Sequence, residues 1–215
     1  MARPDLPPAV WLIPWAGLLI LPAAGSGPIG SRLGVLFAEL LLGLPALLAT
    51  PPILRPEILP FPRLPRNWLL GAVLLAPLAA VLHALVALLV NHLFPMPSDL
   101  EETLRQALVP GSPAEALLIG ASLLIVAPIM EEIFFRGLLP WLWKRHFPRG
   151  AVAVPALLFA VSHANPWAFP SLLLLGLLLG LLRERSGSLL PGILIHGAVN
   201  LLGYGLLQWP TPPGS

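Results

Sequence analysis

The chain has 215 residues, of which 57% are hydrophobic and only 10% charged, with a net charge of +2. So few charges cannot solvate a soluble domain of this length, and the composition indicates a polytopic membrane protein. Cysteine is absent, which excludes disulfides, thiolate catalysis and Cys-ligated metals. No basic patch suggests nucleic acid as a partner. Leu, Ala, Gly and Pro dominate without the period-two alternation of barrel strands, so the expected fold class is all-α, a transmembrane helical bundle.

Taking ~20 apolar residues as one crossing, the sequence predicts about seven spans: Pro8–Ala24, Leu33–Ala49, Trp68–Leu93, Ala114–Trp143, Ala151–His163, Ser171–Leu182 and Pro191–Gln208. Ala23-Ala24-Gly25 resembles a signal-cleavage end, but Pro14 and Trp15 interrupt the run and favour a retained first span. The Pro-rich stretch Thr50–Pro65 reads as a stiff extended connector. Ser98–Val109 reads as a short amphipathic surface helix capped by Ser98. The fifth and sixth spans are short for full crossings and suit a tilted or partly re-entrant pair. Trp68, Trp141, Trp143, Trp167 and Trp209 lie near span ends, where interfacial anchors occur. Three regions follow: 1–110, a membrane region and outer loop; 111–209, a core; and 210–215, a tail.

Charge in the connections orients these spans. Arg3, Arg55, Arg63, Arg66, Lys144, Arg145, Arg149, Arg183 and Arg185 fall on one side, and only Arg32 and Arg105 on the other. The positive-inside rule places the N-terminus in the cytoplasm. The Arg-rich, Lys-poor composition points to a bacterial cytoplasmic membrane as the location.

From Ala116 to Trp143, span four carries no ionisable residue other than Glu131, Glu132 and Arg136. Each costs roughly 2.5–3.5 kcal/mol at the bilayer centre on insertion scales, which marks them as functional. Glu132 and Arg136 are four apart, share a helix face and form the expected ion pair. Glu131 is turned ~100° away and stays available. Span five ends in Phe159-Ala160-Val161-Ser162-His163, and span seven carries His196 and Asn200 on one face. Counting ~1.5 Å per residue from the basic ends puts Glu131 ~20 Å deep, His163 ~18–20 Å and His196 ~8–10 Å, around an expected cavity in the cytoplasmic half. His83 and His92 are read as packing or interfacial residues, His146 as solvated, and Glu39 as a candidate to contact Arg136 or line the cavity.

Glu-Glu-x-x-x-Arg, Phe-x-x-x-His and His-x-x-x-Asn, in order on successive hydrophobic segments, resemble the CPBP family. These are the CAAX prenyl endopeptidase and bacteriocin-processing intramembrane proteases, also called the Abi or type II CAAX protease family. The resemblance covers Ala114–Leu207. It implies an intramembrane endopeptidase in which Glu131 and His163 activate water, His196 and Asn200 stabilise the oxyanion, and Glu132 with Arg136 supports them. Burial and aimed donors suit such chemistry on independent grounds.

The cofactor stays open between none and zinc. Glu131, His163 and His196 would be the zinc ligands, with Glu132 as base. The metal-free version is preferred because no His-Glu-x-x-His element is present. The expected partners are the lipid bilayer and a membrane-associated peptide or prenylated protein that approaches from the cytoplasmic leaflet. Two alternatives keep the same residues: a non-enzymatic membrane scaffold or bacteriocin-immunity protein, and a cation- or proton-coupled transporter. Against transport, the halves show no repeat symmetry.

Overall fold

The computed structural model describes residues 55–144 and 148–208, together with Leu40, Gly43 and Leu44. The first expected span, all of the second but Leu40, Gly43 and Leu44, and also Glu39, His146, Trp209 and the N-terminal orientation lie outside the described residues. Among the described residues from Arg55 onwards the α-helices are, in order, α1 Arg55–Ile58, α2 Arg66–Leu93, α3 Ser98–Leu108, α4 Pro113–Trp143, α5 Ala153–Ser162, α6 Phe169–Ser186 and α7 Leu190–Gln208. No strand occurs among the described residues, so the all-α expectation holds there. Three of these helices, α2, α4 and α7, are long and apolar enough to cross a membrane.

α2 is turned inside out relative to a soluble helix. Ala72, Ala76, Ala79 and Ala80 are buried, whereas Val73, Leu74, Leu78, Leu82, Leu85 and Leu88 are exposed. Small residues let the backbones of neighbouring helices approach, and the large apolar side chains face what would be lipid. α7 packs along α2, and α6 packs against α5.

α4 is a single 31-residue helix with two wide, π-helical stretches, Ser122–Val126 and Ile133–Leu138. Each ends two residues before a proline, Pro128 or Pro140. Proline supplies no N–H and clashes with the carbonyl four residues earlier, and a widened turn relieves both problems. The first stretch leaves carbonyls exposed to α7. A Cβ on Gly197 would stand 3.1 Å from the Leu124 carbonyl oxygen, and Asn200 donates from Nδ2 to the Leu123 carbonyl at 2.9 Å.

The Pro-rich connector is partly a docking element. α1 falls within it, Ile58 is fully buried, and Leu189 N–H donates to the Pro60 carbonyl at 3.1 Å. Gly137 of α4 makes this docking possible, because a Cβ there would run into the Ile58 carbonyl oxygen. Gly137→Ala is expected to cost about 1–3 kcal/mol, read as a lower thermal midpoint in detergent. An unchanged midpoint would show that α1 is not held there.

Two local expectations are corrected. Ser98 does not cap α3, which follows Pro97 without a side-chain cap. The working cap lies at α4, where Ser112 Oγ accepts from Glu115 N–H at 3.3 Å and Glu115 accepts from Gly111 N–H at 2.6 Å. Trp141 is not an interfacial anchor: it is buried, and its Nε1–H donates to Glu57 at 3.0 Å. α5 is only 10 residues long, about 15 Å, or half the ~30 Å hydrocarbon core. It stops at His163, and an Asx turn reverses the chain. Asn165 Oδ1 accepts there from Trp167 N–H at 3.0 Å and Ala168 N–H at 3.2 Å.

Candidate active site

The site is built outward from α4. Arg136 is 2% exposed and Glu132 is fully buried, and Arg136 Nη1 donates to Glu132 Oε1 at 2.8 Å. The expected pair therefore forms, in a setting where neither charge meets bulk water. Arg136 is satisfied further by Nη2 donating to the Gly176 carbonyl of α6 at 3.3 Å. Its guanidinium also lies over the Phe159 ring, with Cζ 4.4 Å from the centroid. Gly192 makes room for the carboxylate, since a Cβ there would stand 2.7 Å from Glu132 Oε2.

His196 of α7 lies between the two glutamates. Its Nε2 is 3.6 Å from Glu131 Oε2 and its Nδ1 is 3.4 Å from Glu132 Oε1. The depth count that set His196 far shallower than Glu131 is thereby corrected. The count assumed that the helices start at one depth, whereas α7 begins inside the protein, where Leu189 is buried and its N–H donates to the Pro60 carbonyl.

His163 is fixed by its own helix end. Its Nδ1 lies 2.8 Å from the Phe159 carbonyl oxygen, which can only accept. The proton therefore sits on Nδ1, and Nε2 keeps a lone pair. The Phe159 ring packs edge-on against both His163 and His196, with centroids 4.8 and 5.6 Å apart. The phenylalanine of the Phe-x-x-x-His element thus separates and orients two imidazoles.

Glu131, His163, His196 and Asn200 all line one cavity of about 550 Å³. It extends along α7 past Gly203 and Tyr204 to Leu207, and to Leu108 of α3. That course leads away from Lys144 and Arg183. The expected entry from the arginine-rich end finds no support in it. A separate crevice of about 390 Å³ does lie at that end, lined by Glu57, Lys144, Arg183 and Glu184 and backed by Arg136. Lys144 and Glu184 form an ion pair across it.

One residue of the cavity wall escaped the sequence reading. His83 of α2, expected to pack or sit at an interface, faces the same cavity as His163 and His196. No motif marks it. The only hint in the sequence is a titratable group in the middle of a 28-residue apolar helix. Among the described residues, no three His, Asp or Glu side chains stand in an arrangement that would hold one metal ion. The zinc set Glu131, His163 and His196 is not gathered in that way.

Comparison with known proteins agrees with the motif positions. No curated protein and no solved structure matches the chain. A family model does match, over residues 113–202, and its description is Type II CAAX prenyl endopeptidase Rce1-like. That segment contains Glu131, Glu132, Arg136, His163, His196 and Asn200, while His83 lies outside it. Apolar helices long enough to span, polar groups buried among them and this match agree: residues 113–202 are similar to the Rce1-like family of type II CAAX prenyl endopeptidases.

Proposed function

We propose that the protein is an intramembrane endopeptidase that hydrolyses a peptide bond of a membrane-associated, CAAX-type or other processed peptide. The observation that carries this reading is the shared cavity: Glu131, His163, His196 and Asn200 line one space inside an apolar bundle. The same reading keeps seven spans, a cytoplasmic N-terminus and a catalytic core over 111–209.

In the reaction, the scissile carbonyl lies between Glu131 and the side chains of α7. Glu131 takes a proton from water while the Nε2 lone pair of His163 holds and orients that water. The water oxygen bonds to the carbonyl carbon, and the π electrons move to the carbonyl oxygen. His196 and the second N–H of Asn200 donate to this oxyanion, the kind of stabilisation that supplies about 3–4 kcal/mol per donor in other proteases. Collapse of the intermediate breaks the C–N bond, and the leaving nitrogen takes the proton held on Glu131. Glu132 and Arg136 take no proton in this sequence. They hold His196 in place from behind.

A quenched-fluorescent CAAX peptide in detergent or proteoliposomes tests the reading. Cleavage by the wild-type chain is expected, and intact peptide after long incubation would overturn it. Treatment with a strong chelator, followed by elemental analysis, is expected to leave activity unchanged. Loss of activity restored by added zinc would replace this scheme with the metal-dependent one.

A further inference from the structure

We infer that His83 is a substrate-positioning residue, which binds the peptide where the polar cavity meets an apolar groove between α2 and α7. The inference rests on the proteolytic reading above and adds to it a contact from outside the family segment.

Three cavities meet at this imidazole. His83 lines the 550 Å³ cavity with Glu131 and His163. It also lines a 170 Å³ apolar pocket against α6 and a 320 Å³ groove bounded by Ala80, Ala84 and Ala87 of α2 and Leu202 and Leu206 of α7. Among the described residues, no other lines all three. The alanines recur three or four residues apart along one face of α2, so they leave a smooth trough wide enough for a bulky apolar group. The polar end of the combined space holds the carboxylate and imidazoles, and the apolar end holds none. A peptide bond over Glu131 would therefore send a neighbouring apolar side chain or lipid substituent past His83.

His83 also has unused hydrogen-bonding capacity. Its ring lies beside Ser171 of α6 and shares a cavity wall with His163 and His196. Yet its Nδ1 is buried and makes no hydrogen bond among the described residues. A buried polar atom without a partner is costly unless a ligand or water completes it. Rotation about χ2 of histidine is soft, so Nδ1 can turn to the cavity and meet a main-chain amide of the peptide. In that position His83 sets which peptide bond lies over Glu131 and takes no part in the bond-breaking itself.

The probe is an internally quenched, prenylated CAAX peptide, assayed with wild type, His83→Phe and His83→Asn. Phenylalanine keeps the ring and removes both nitrogens, whereas asparagine keeps a polar group near Nδ1. His83→Phe is expected to raise KM about tenfold with kcat within about threefold, the pattern of a lost binding contact. His83→Asn is expected to restore KM to within about threefold of wild type. Fluorescence anisotropy of the same peptide on Glu131→Gln protein, with and without His83→Phe, is expected to show an equal rise in Kd. An unchanged KM and Kd, whether or not the thermal midpoint falls, would overturn the proposal and leave His83 a packing residue. Binding that depends on His83 without cleavage by the wild type would overturn the proteolytic reading alone. A chain that neither binds nor cuts the peptide would overturn both.

Discussion

Glu131→Gln is expected to lower kcat by about a thousandfold, the middle of the range for general-base catalysis, while leaving the thermal midpoint where it was. The substitution is isosteric. It removes the group that accepts the water proton but keeps a polar side chain 3.6 Å from His196 Nε2. His163→Ala is expected to fall to a similar level, because the water is then neither held nor oriented. The double variant should fall little further, since groups that act on one water molecule do not contribute additively. Single-turnover cleavage of the quenched peptide, paired with thermal unfolding in the same detergent, separates this outcome from misfolding. Full turnover by Glu131→Gln would discard the assignment, and a collapse in stability would mean that Glu131 is structural.

The second large effect is on folding. Glu132 and Arg136 are both about 1% exposed in their side chains and stand 2.8 Å apart. Removing one partner of such a pair leaves an uncompensated buried charge, which costs about 3–5 kcal/mol. The two single variants should differ. A carboxyl left alone by Arg136→Met can take a proton and become neutral, whereas the guanidinium left by Glu132→Leu cannot lose one. Glu132→Leu is therefore expected to be the more damaging, with little folded protein recovered. The Glu132→Leu/Arg136→Met double variant should regain most of the loss, as a double-mutant cycle would register. Denaturation midpoints that drop by no more than a surface pair is worth, under about 1 kcal/mol, would show that water reaches the pair.

Some of this architecture was legible in the residues. The apolar stretches at 68–93, 114–143, 151–163, 171–182 and 191–208 correspond to helices beginning and ending within a few residues of those bounds, because a 3.6-residue period and long apolar runs leave little choice in lipid. The Glu132–Arg136 contact was legible for a similar reason: residues four apart on one helix meet whatever surrounds them. Contacts between helices were not. Trp141 was expected near the surface from its place at a span end, yet Glu57, 84 positions away in sequence, takes its N–H. Ile58 sits in a Pro-rich connector and is nonetheless fully buried, because Gly137 leaves room for its backbone.

Sequence alone indicated a helical, membrane-embedded chain whose acids, imidazoles and amide lie on three separate segments, since polar groups in an apolar run stand out against their surroundings. The tertiary structure decided which of those groups meet. It set His196 between Glu131 and Glu132, tied Asn200 to a carbonyl that a π-helical turn exposes, and brought His83 from a helix outside every motif to the cavity wall. The physical reason is that helix rotation and relative depth depend on where small residues allow close approach and where prolines widen a turn. Those terms act between segments, and no periodicity within one segment encodes them.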